Sequence, residues 1–243
     1  MKTHTMNTPI GEITSFVNDT FTREMKQRGY YAEQLILDDN LRPIIEKSNV
    51  ILDIGGHVGY HSIAYNKFNP SAKIMTFEPQ NSMFLLLESN VKANKLDDKI
   101  KVFNLAVGDK IRKTTLSNKI TDGLHANTQL EYGTNKEFNL AGLSIGFDGE
   151  VVEMITVDSL MLESLDYMKI DVEGAEILVL MGAEETIKKF KPIICFEYNH
   201  KKISPEFLKS LGYDKTLPTP FKYLETLGYT KFESLRYENF IAT

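Results

Sequence analysis

Apolar positions along the chain fall into short runs separated by longer stretches of helical period. The runs are Val50 to Ile54, Lys73 to Phe77, Ile100 to Ala106, Leu165 to Ile170 and Pro192 to Tyr198. Near-continuous apolar runs of this length predict parallel strands covered on both faces. Between them, helices are expected from Tyr60, over Ser82 to Lys95, and from Asp171 to about Lys189; the second would bury Phe84, Leu85, Leu87 and Val91. Strand and helix in alternation predict an α/β fold around a mostly parallel sheet with helices on both faces. Pro205 to Leu211 and Phe221 to Leu227 read as further helices. Tyr229 to Leu235 and Asn239 to Thr243 then read as an antiparallel hairpin closing at Arg236-Tyr237-Glu238.

Two segments depart from this rhythm. Residues 1–49 carry no strong motif; Ser15 to Arg28 and Glu33 to Leu41 are expected to be cap helices over the ligand edge, with Phe16, Val17, Phe21 and Met25 on one side of the first. Residues 50–243 form the main domain, interrupted by an insertion over 111–155. Thr114 to Ser117 and Glu150 to Val157 would pair as its strands. The stretch between them is rich in Gly, Asn, Thr and Asp and reads as a lid, in which His125, Asn127 and Gln129 could read an acceptor.

Composition narrows the class. The chain has 243 residues, 42% hydrophobic and 25% charged, with a net charge of −5. There is no basic surplus to neutralise phosphates, so no nucleic-acid partner is expected. The single Cys195 sits in an apolar run and implies a buried thiol, not a disulfide framework. No run approaches ~18 apolar residues, so no membrane span is expected. The first residues lack the apolar core of a secretion signal, and a cytoplasmic location is the expectation.

The chemistry gathers at strand ends. Asp53-Ile54-Gly55-Gly56-His57-Val58-Gly59 closes the first strand in a glycine turn ahead of a helix, the setting of a nucleotide-type site. An ordinary tight turn would read the same. Glu78 closes the second strand, where a carboxylate accepts hydrogen bonds from both hydroxyls of a ribose; Pro79 beside it is also a helix-start signal. These features fit a nicotinamide dinucleotide or S-adenosylmethionine. The spacing Asp-x-Gly-Gly-x-x-Gly differs from the dinucleotide fingerprint, and an acid ahead of the turn suits a ligand with an ammonium and no phosphate. S-adenosylmethionine is therefore the expected cofactor. Asn104 and Ala106-Val107, at the end of the third strand, are candidates to meet the adenine.

Asp171 closes the fourth strand and would face the reactive methyl, with Glu173 and Glu176 close behind at a helix start that favours acids in any case. His200, beyond the fifth strand, is the second candidate general base after Asp171. Asp171 and Glu197 could alternatively hold a divalent ion through oxygen ligands. His57 and His61 lack a third neighbouring ligand and are not read as a metal pair.

Asp53-Ile54-Gly55-Gly56-His57-Val58-Gly59-Tyr60, Phe77-Glu78-Pro79, Asn104 to Asp109 and above all Met168-Lys169-Ile170-Asp171-Val172-Glu173-Gly174-Ala175-Glu176 resemble the FkbM family of S-adenosylmethionine-dependent methyltransferases from about residue 30 to the end. One departure is Gly56-His57, where the family more often has Ala-Asn. The resemblance implies a Rossmann-like class I methyltransferase fold with a seven-stranded sheet, and O-methylation of a sugar or glycan hydroxyl or else of a polyketide or lipid-like one. Asp-Val-Glu-Gly at the fourth strand, in place of the Asn/Asp-Pro-Pro-aromatic tetrad of adenine methyltransferases, disfavours a base amino group as acceptor. A non-catalytic cofactor-binding module and a nicotinamide oxidoreductase are the rival readings.

Overall fold

The computed structural model describes residues 2–29, 31, 37–120, 142–198, 203–214 and 216–243. Its main sheet has seven strands. β3 (Val50–Ile54), β4 (Lys73–Phe77), β5 (Ile100–Phe103), β10 (Tyr167–Ile170), β11 (Ile193–Glu197), β12 (Phe232–Ser234) and β13 (Asn239–Ala242) lie in the order β12-β13-β11-β10-β3-β4-β5. The five from β5 to β11 run parallel; β13 is antiparallel to both of its neighbours. The terminal hairpin expected from the sequence is present, with its later strand inserted beside β11.

Side-chain alternation assigns the two faces of this sheet. Ile51, Tyr167 and Cys195 belong to one apolar core, with Ile13, Ile45, Ile63 and Tyr65. Leu52, Ile54, Met168, Ile170, Ile194 and Phe196 belong to another, with Val179, Leu180, Ile187 and Leu224. Each such buried aliphatic side chain contributes about 1.5–3 kcal/mol. The same alternation puts Asp53 and Lys169, partners in register, on one face. Helices α3 (Tyr60–Phe68) and α4 (Asn81–Ala93) follow β3 and β4. Among the described residues no helix is long and apolar enough to cross a membrane.

The amino-terminal expectation needs correction. Thr3–Thr8 (β1) and Gly11–Phe16 (β2) form an antiparallel hairpin, and α1 begins only at Thr20, capped by Asp19, and ends at Arg28. Ser15 and Phe16 are strand residues and Val17 is exposed. A π turn, Leu37–Leu41, and a short α2, Arg42–Ile45, lead into β3; most of the segment expected as the second cap helix, with Tyr30 and Glu33, lies outside the described residues.

β2 is held by side chains of α4 that imitate a neighbouring strand. The Thr14 N–H donates to Asn90 Oδ1 at 2.8 Å while Asn90 Nδ2 donates back to the Thr14 carbonyl at 2.9 Å. Asn94 does the same for Glu12, at 3.0 and 2.7 Å. This bridging explains the phase of α4. Its buried stripe is Met83, Leu86, Leu87, Asn90 and Val91, whereas Leu85, expected in the core, is 55% exposed.

Beyond β5 the chain leaves the main sheet. The run expected as one strand to Ala106 breaks at Asn104-Leu105. β6 (Ala106–Val107) then joins a second sheet with β7 (Arg112–Ile120), β8 (Leu143–Ile145) and β9 (Asp148–Ile155), ordered β6-β9-β7-β8. The expected pairing of the insertion's flanks is thus found. His125, Asn127 and Gln129 lie outside the described residues. The helix expected from Asp171 to Lys189 is two helices, α5 (Glu176–Met181) and α6 (Glu184–Phe190), parted at Gly182 where an added Cβ would meet the Gly108 carbonyl oxygen at 1.9 Å.

Candidate active site

A cavity opens at the carboxyl ends of β3, β4 and β10, the edge at which parallel α/β sheets bind ligands. The turn after β3 supplies Gly55, Gly56 and His57 to its wall; β4 supplies Phe77, Glu78 and Pro79; β10 and the turn after it supply Lys169, Asp171 and Glu173. The small sheet adds Ala106, Val107, Leu116, Leu143 and Ile145, and the amino-terminal segment adds Phe21 and Tyr31.

The turn is built by close packing. The Gly55 and Gly56 N–H groups both donate to the Phe77 carbonyl, at 3.0 and 2.9 Å, and Asp171 N–H donates to the Ile54 carbonyl at 2.9 Å. A Cβ on Gly55, whose φ is 87°, would stand 1.8 Å from the Asp171 carbonyl oxygen. Gly59 serves as the left-handed cap of α3 and does not line the cavity.

Glu78 is the acid at the β4 tip. Its Oε2 accepts from the His57 N–H at 2.9 Å and its Oε1 from the Gln80 N–H at 2.8 Å. Burial, with the like charge of Asp171 added, outweighs these bonds and His57, so its pKa is pushed up to about 7. Asn104, expected at the adenine, instead braces this corner by donating to the Glu78 and Pro79 carbonyls at 2.9 and 3.0 Å. It is not part of the cavity wall.

Asp53 also departs from expectation. It is fully buried behind the turn, with Oδ2 accepting from Ser62 Oγ at 2.6 Å, and it lies outside the cavity wall. Its Oδ1 has no hydrogen-bond partner among the described residues. The charge that faces the cavity from this turn is on His57. Its Nε2 lies 3.1 Å from Asp19 Oδ2, near enough to pair yet too poorly aligned for a full hydrogen bond. Burial opposes charge on the ring, but Asp19, then Glu78 and Asp171, hold its pKa above the ordinary histidine value.

Asp171 stands where expected, and the structure adds a partner the sequence reading missed. Lys169 Nζ lies 2.8 Å from Asp171 Oδ2, with the lysine side chain 4% exposed and the carboxylate 26%. A lysine inside a buried strand is rarely tolerated unless paired, which is the signal that Tyr167-Met168-Lys169-Ile170 already carried. Glu173 holds a left-handed backbone, φ 57°, that turns it into the cavity. Carboxylate oxygens of Asp171, Glu173 and Glu197 come within 4.8 Å of one another. An all-oxygen set suits a hard divalent ion, while the Lys169 ammonium already neutralises Asp171. His200 lies outside the described residues.

Glu176 sits beneath this cluster, accepting from the Gly174 N–H at 2.9 Å. Burial, aided by Asp171, pushes its pKa up to about 7. An unfolded chain releases this proton near 4.5, so Glu176 favours the folded state at low pH and loses that advantage as pH rises from about 4.5 to 7. Glu176→Gln keeps the acceptor without the titration. It should match the wild type near pH 4.5 and be more stable by about 1–3 kcal/mol at pH 8, read from urea midpoints. Equal stability at both ends would mean that Glu176 ionises freely.

A model of the methyltransferase FkbM domain matches residues 53–228. The 2-O-methyltransferase NoeI of Sinorhizobium fredii (strain NBRC 101917 / NGR234) is 28% identical over 178 residues, 66% of this chain and 68% of that protein. Among solved structures, methyltransferase FkbM from Methylobacillus flagellatus KT aligns with a TM-score of 0.52 at 14% identity, over 80% of this chain and 43% of its own. The chain therefore spans less than half of that protein. A putative caffeoyl-CoA O-methyltransferase from Staphylococcus aureus gives 0.50 at 13% identity, over 93% and 92%. The shared feature is the class I methyltransferase sheet.

Proposed function

Because the chain belongs to the FkbM methyltransferase family, we propose that it moves a methyl group from S-adenosylmethionine to a hydroxyl oxygen of a sugar. The observation that carries this reading is the meeting of Glu78, Asp171 and the glycine turn around one cavity. The wall fits the donor. Glu78 offers oxygen acceptors to a pair of ribose hydroxyls, Leu105, Ala106 and Val107 form an apolar slot for a flat base, and Asp171 and Glu173 suit a cation. When bound, the donor supplies an electrophilic methyl on a sulfonium.

The chain's own part is alignment and proton removal. Alignment supplies up to ~7–11 kcal/mol in favourable reactions. Asp171, with Oδ2 held by Lys169, serves first as a hydrogen-bond acceptor that orients the attacking hydroxyl. That hydroxyl becomes strongly acidic as its oxygen gains the methyl, and its proton then passes to the Asp171 carboxylate. Glu173, beside it, helps to seat the acceptor.

Oxygen as the acceptor atom is supported by the relative's name, a 2-O-methyltransferase. The sugar is supported by the polar composition of residues 119–149. A polyketide or lipid-like hydroxyl is the second reading, favoured by the aliphatic wall of Leu116, Leu143 and Ile145. The single cysteine, Cys195, is buried in the core, which accords with a cytoplasmic site of action.

Incubation with S-adenosylmethionine and a panel of free glycans and polyketide alcohols, read by mass spectrometry of both products, tests the proposal. It predicts S-adenosylhomocysteine and one added methyl on a sugar oxygen. Methylation confined to polyketide alcohols would select the second reading. Tight donor binding with no transfer would indicate a cofactor-binding module, and binding of reduced dinucleotide instead would indicate an oxidoreductase.

A further inference from the structure

His57 stands at a position of the glycine turn where the sequence departs from its family resemblance, and the structure shows it gripped from an unexpected direction. Asp19, at the junction of β2 and α1, is 1% exposed. Its carboxylate is fixed by Ser15 Oγ at 3.0 Å and by the Phe21 N–H at 3.3 Å, and it lies 3.1 Å from His57 Nε2. Phe21 meets the imidazole edge-on, with ring centroids 6.1 Å apart. The ring backbone is left-handed at φ 48°, a cost of about 1–3 kcal/mol that the packing must sustain.

We propose that His57, held by Asp19, binds the carboxylate of the donor's amino-acid tail as an imidazolium. This rests on the donor reading above. The charged and titratable groups around the cavity argue for it. Glu78 from the β4 tip and Asp171 and Glu173 from the β10 tip are acids and repel a carboxylate. Lys169 is already paired with Asp171. Tyr31, Tyr60 and His61 complete the titratable wall on this side. An imidazolium donates from both nitrogens; with Nε2 turned to Asp19, Nδ1 is the donor for the tail. Three nearby acids, led by Asp19, keep the ring charged to higher pH than an ordinary histidine.

The test compares S-adenosylhomocysteine with 5′-methylthioadenosine, a related nucleoside lacking the amino-acid tail, by calorimetry at about pH 6 and about pH 9, on either side of a histidine titration. Titration of Glu78 bears on the ribose that both ligands share and, by repulsion, on the tail of one; it persists in His57→Asn, so the difference between wild type and that variant isolates the imidazole. In the wild type the preference for the tailed ligand should fall about ten-fold as pH rises, the size of one charge-assisted contact. In His57→Asn that preference should be smaller at the lower pH and should change with pH only as Glu78 and the tail's own amino group titrate. Asp19→Asn should move the fall to lower pH, and 5′-methylthioadenosine affinity in each variant reports whether the turn remains intact. An identical pH dependence in wild type and His57→Asn would overturn the proposal while leaving the donor reading in place. Failure of both ligands to bind the wild type would remove the donor reading and this inference with it.

Discussion

Asp171→Asn is expected to slow methyl transfer by about 10²–10⁴-fold, the range of a lost proton acceptor, and also to lower stability by about 3 kcal/mol. The two losses have different causes and can be separated. Stability suffers because Lys169, 4% exposed, loses the carboxylate 2.8 Å away that offsets its burial. Breaking a buried pair on one side costs ~3–5 kcal/mol, and the partial exposure of Asp171 places this pair at the lower end. Removing both charges together leaves neither half of this pair behind. The double variant Asp171→Asn/Lys169→Met should therefore be more stable than Asp171→Asn alone, yet equally inactive. Urea midpoints for the wild type, Asp171→Asn, Lys169→Met and the double variant give the coupling, and turnover per folded molecule gives the chemistry. Additive stability losses would show that the pair is not coupled. Restored turnover in the double variant would remove Asp171 from the reaction.

Gly55→Ala should cost about 2–5 kcal/mol and abolish binding of S-adenosylhomocysteine. Two effects combine there. A left-handed backbone costs a residue with a Cβ roughly 1–2 kcal/mol, and a crowded core adds about 1–3 kcal/mol. The obstacle is backbone, the Asp171 carbonyl oxygen at 1.8 Å, so relief means parting β3 from β10 beneath the cavity. Gly29 is the internal control: its φ is 75° and nothing lies within 4 Å of its missing Cβ. Gly29→Ala should pay the backbone term alone, about 1–2 kcal/mol. Equal losses at the two sites would mean that the strands yield freely.

What the sequence made legible was whatever the parallel sheet imposes. Val50–Ile54, Lys73–Phe77 and Tyr167–Ile170 had to be apolar because both faces are covered, and Gly55 had to lack a side chain because a neighbouring strand passes so close. Glu78 and Asp171 were legible because acids at strand tips stand out against such runs. The hairpin of residues 3–16 was not, because β1 is threonine-rich and largely exposed and β2 finds its partners on a helix. Asn90 hid for the same reason, as a polar residue in a stripe that packing alone would have filled with aliphatics. Asp53 reads as a ligand group by its place in the motif, whereas the structure buries it behind the turn with Oδ2 on Ser62. Lys169 was in plain view; a cation among Tyr167, Met168 and Ile170 needed a counter-charge, and the only question was which acid.

The insertion of β13 between β11 and β12 has a consequence for how the protein assembles. β12 precedes β13 along the chain but touches the main sheet only through it. The hairpin is therefore fastened to the sheet solely along its later strand, and the earlier one sits at the rim. An interrupted or mutated segment around Phe240 and Ile241 would thus strip two strands instead of one, baring the edge of β11 to any chain seeking a partner.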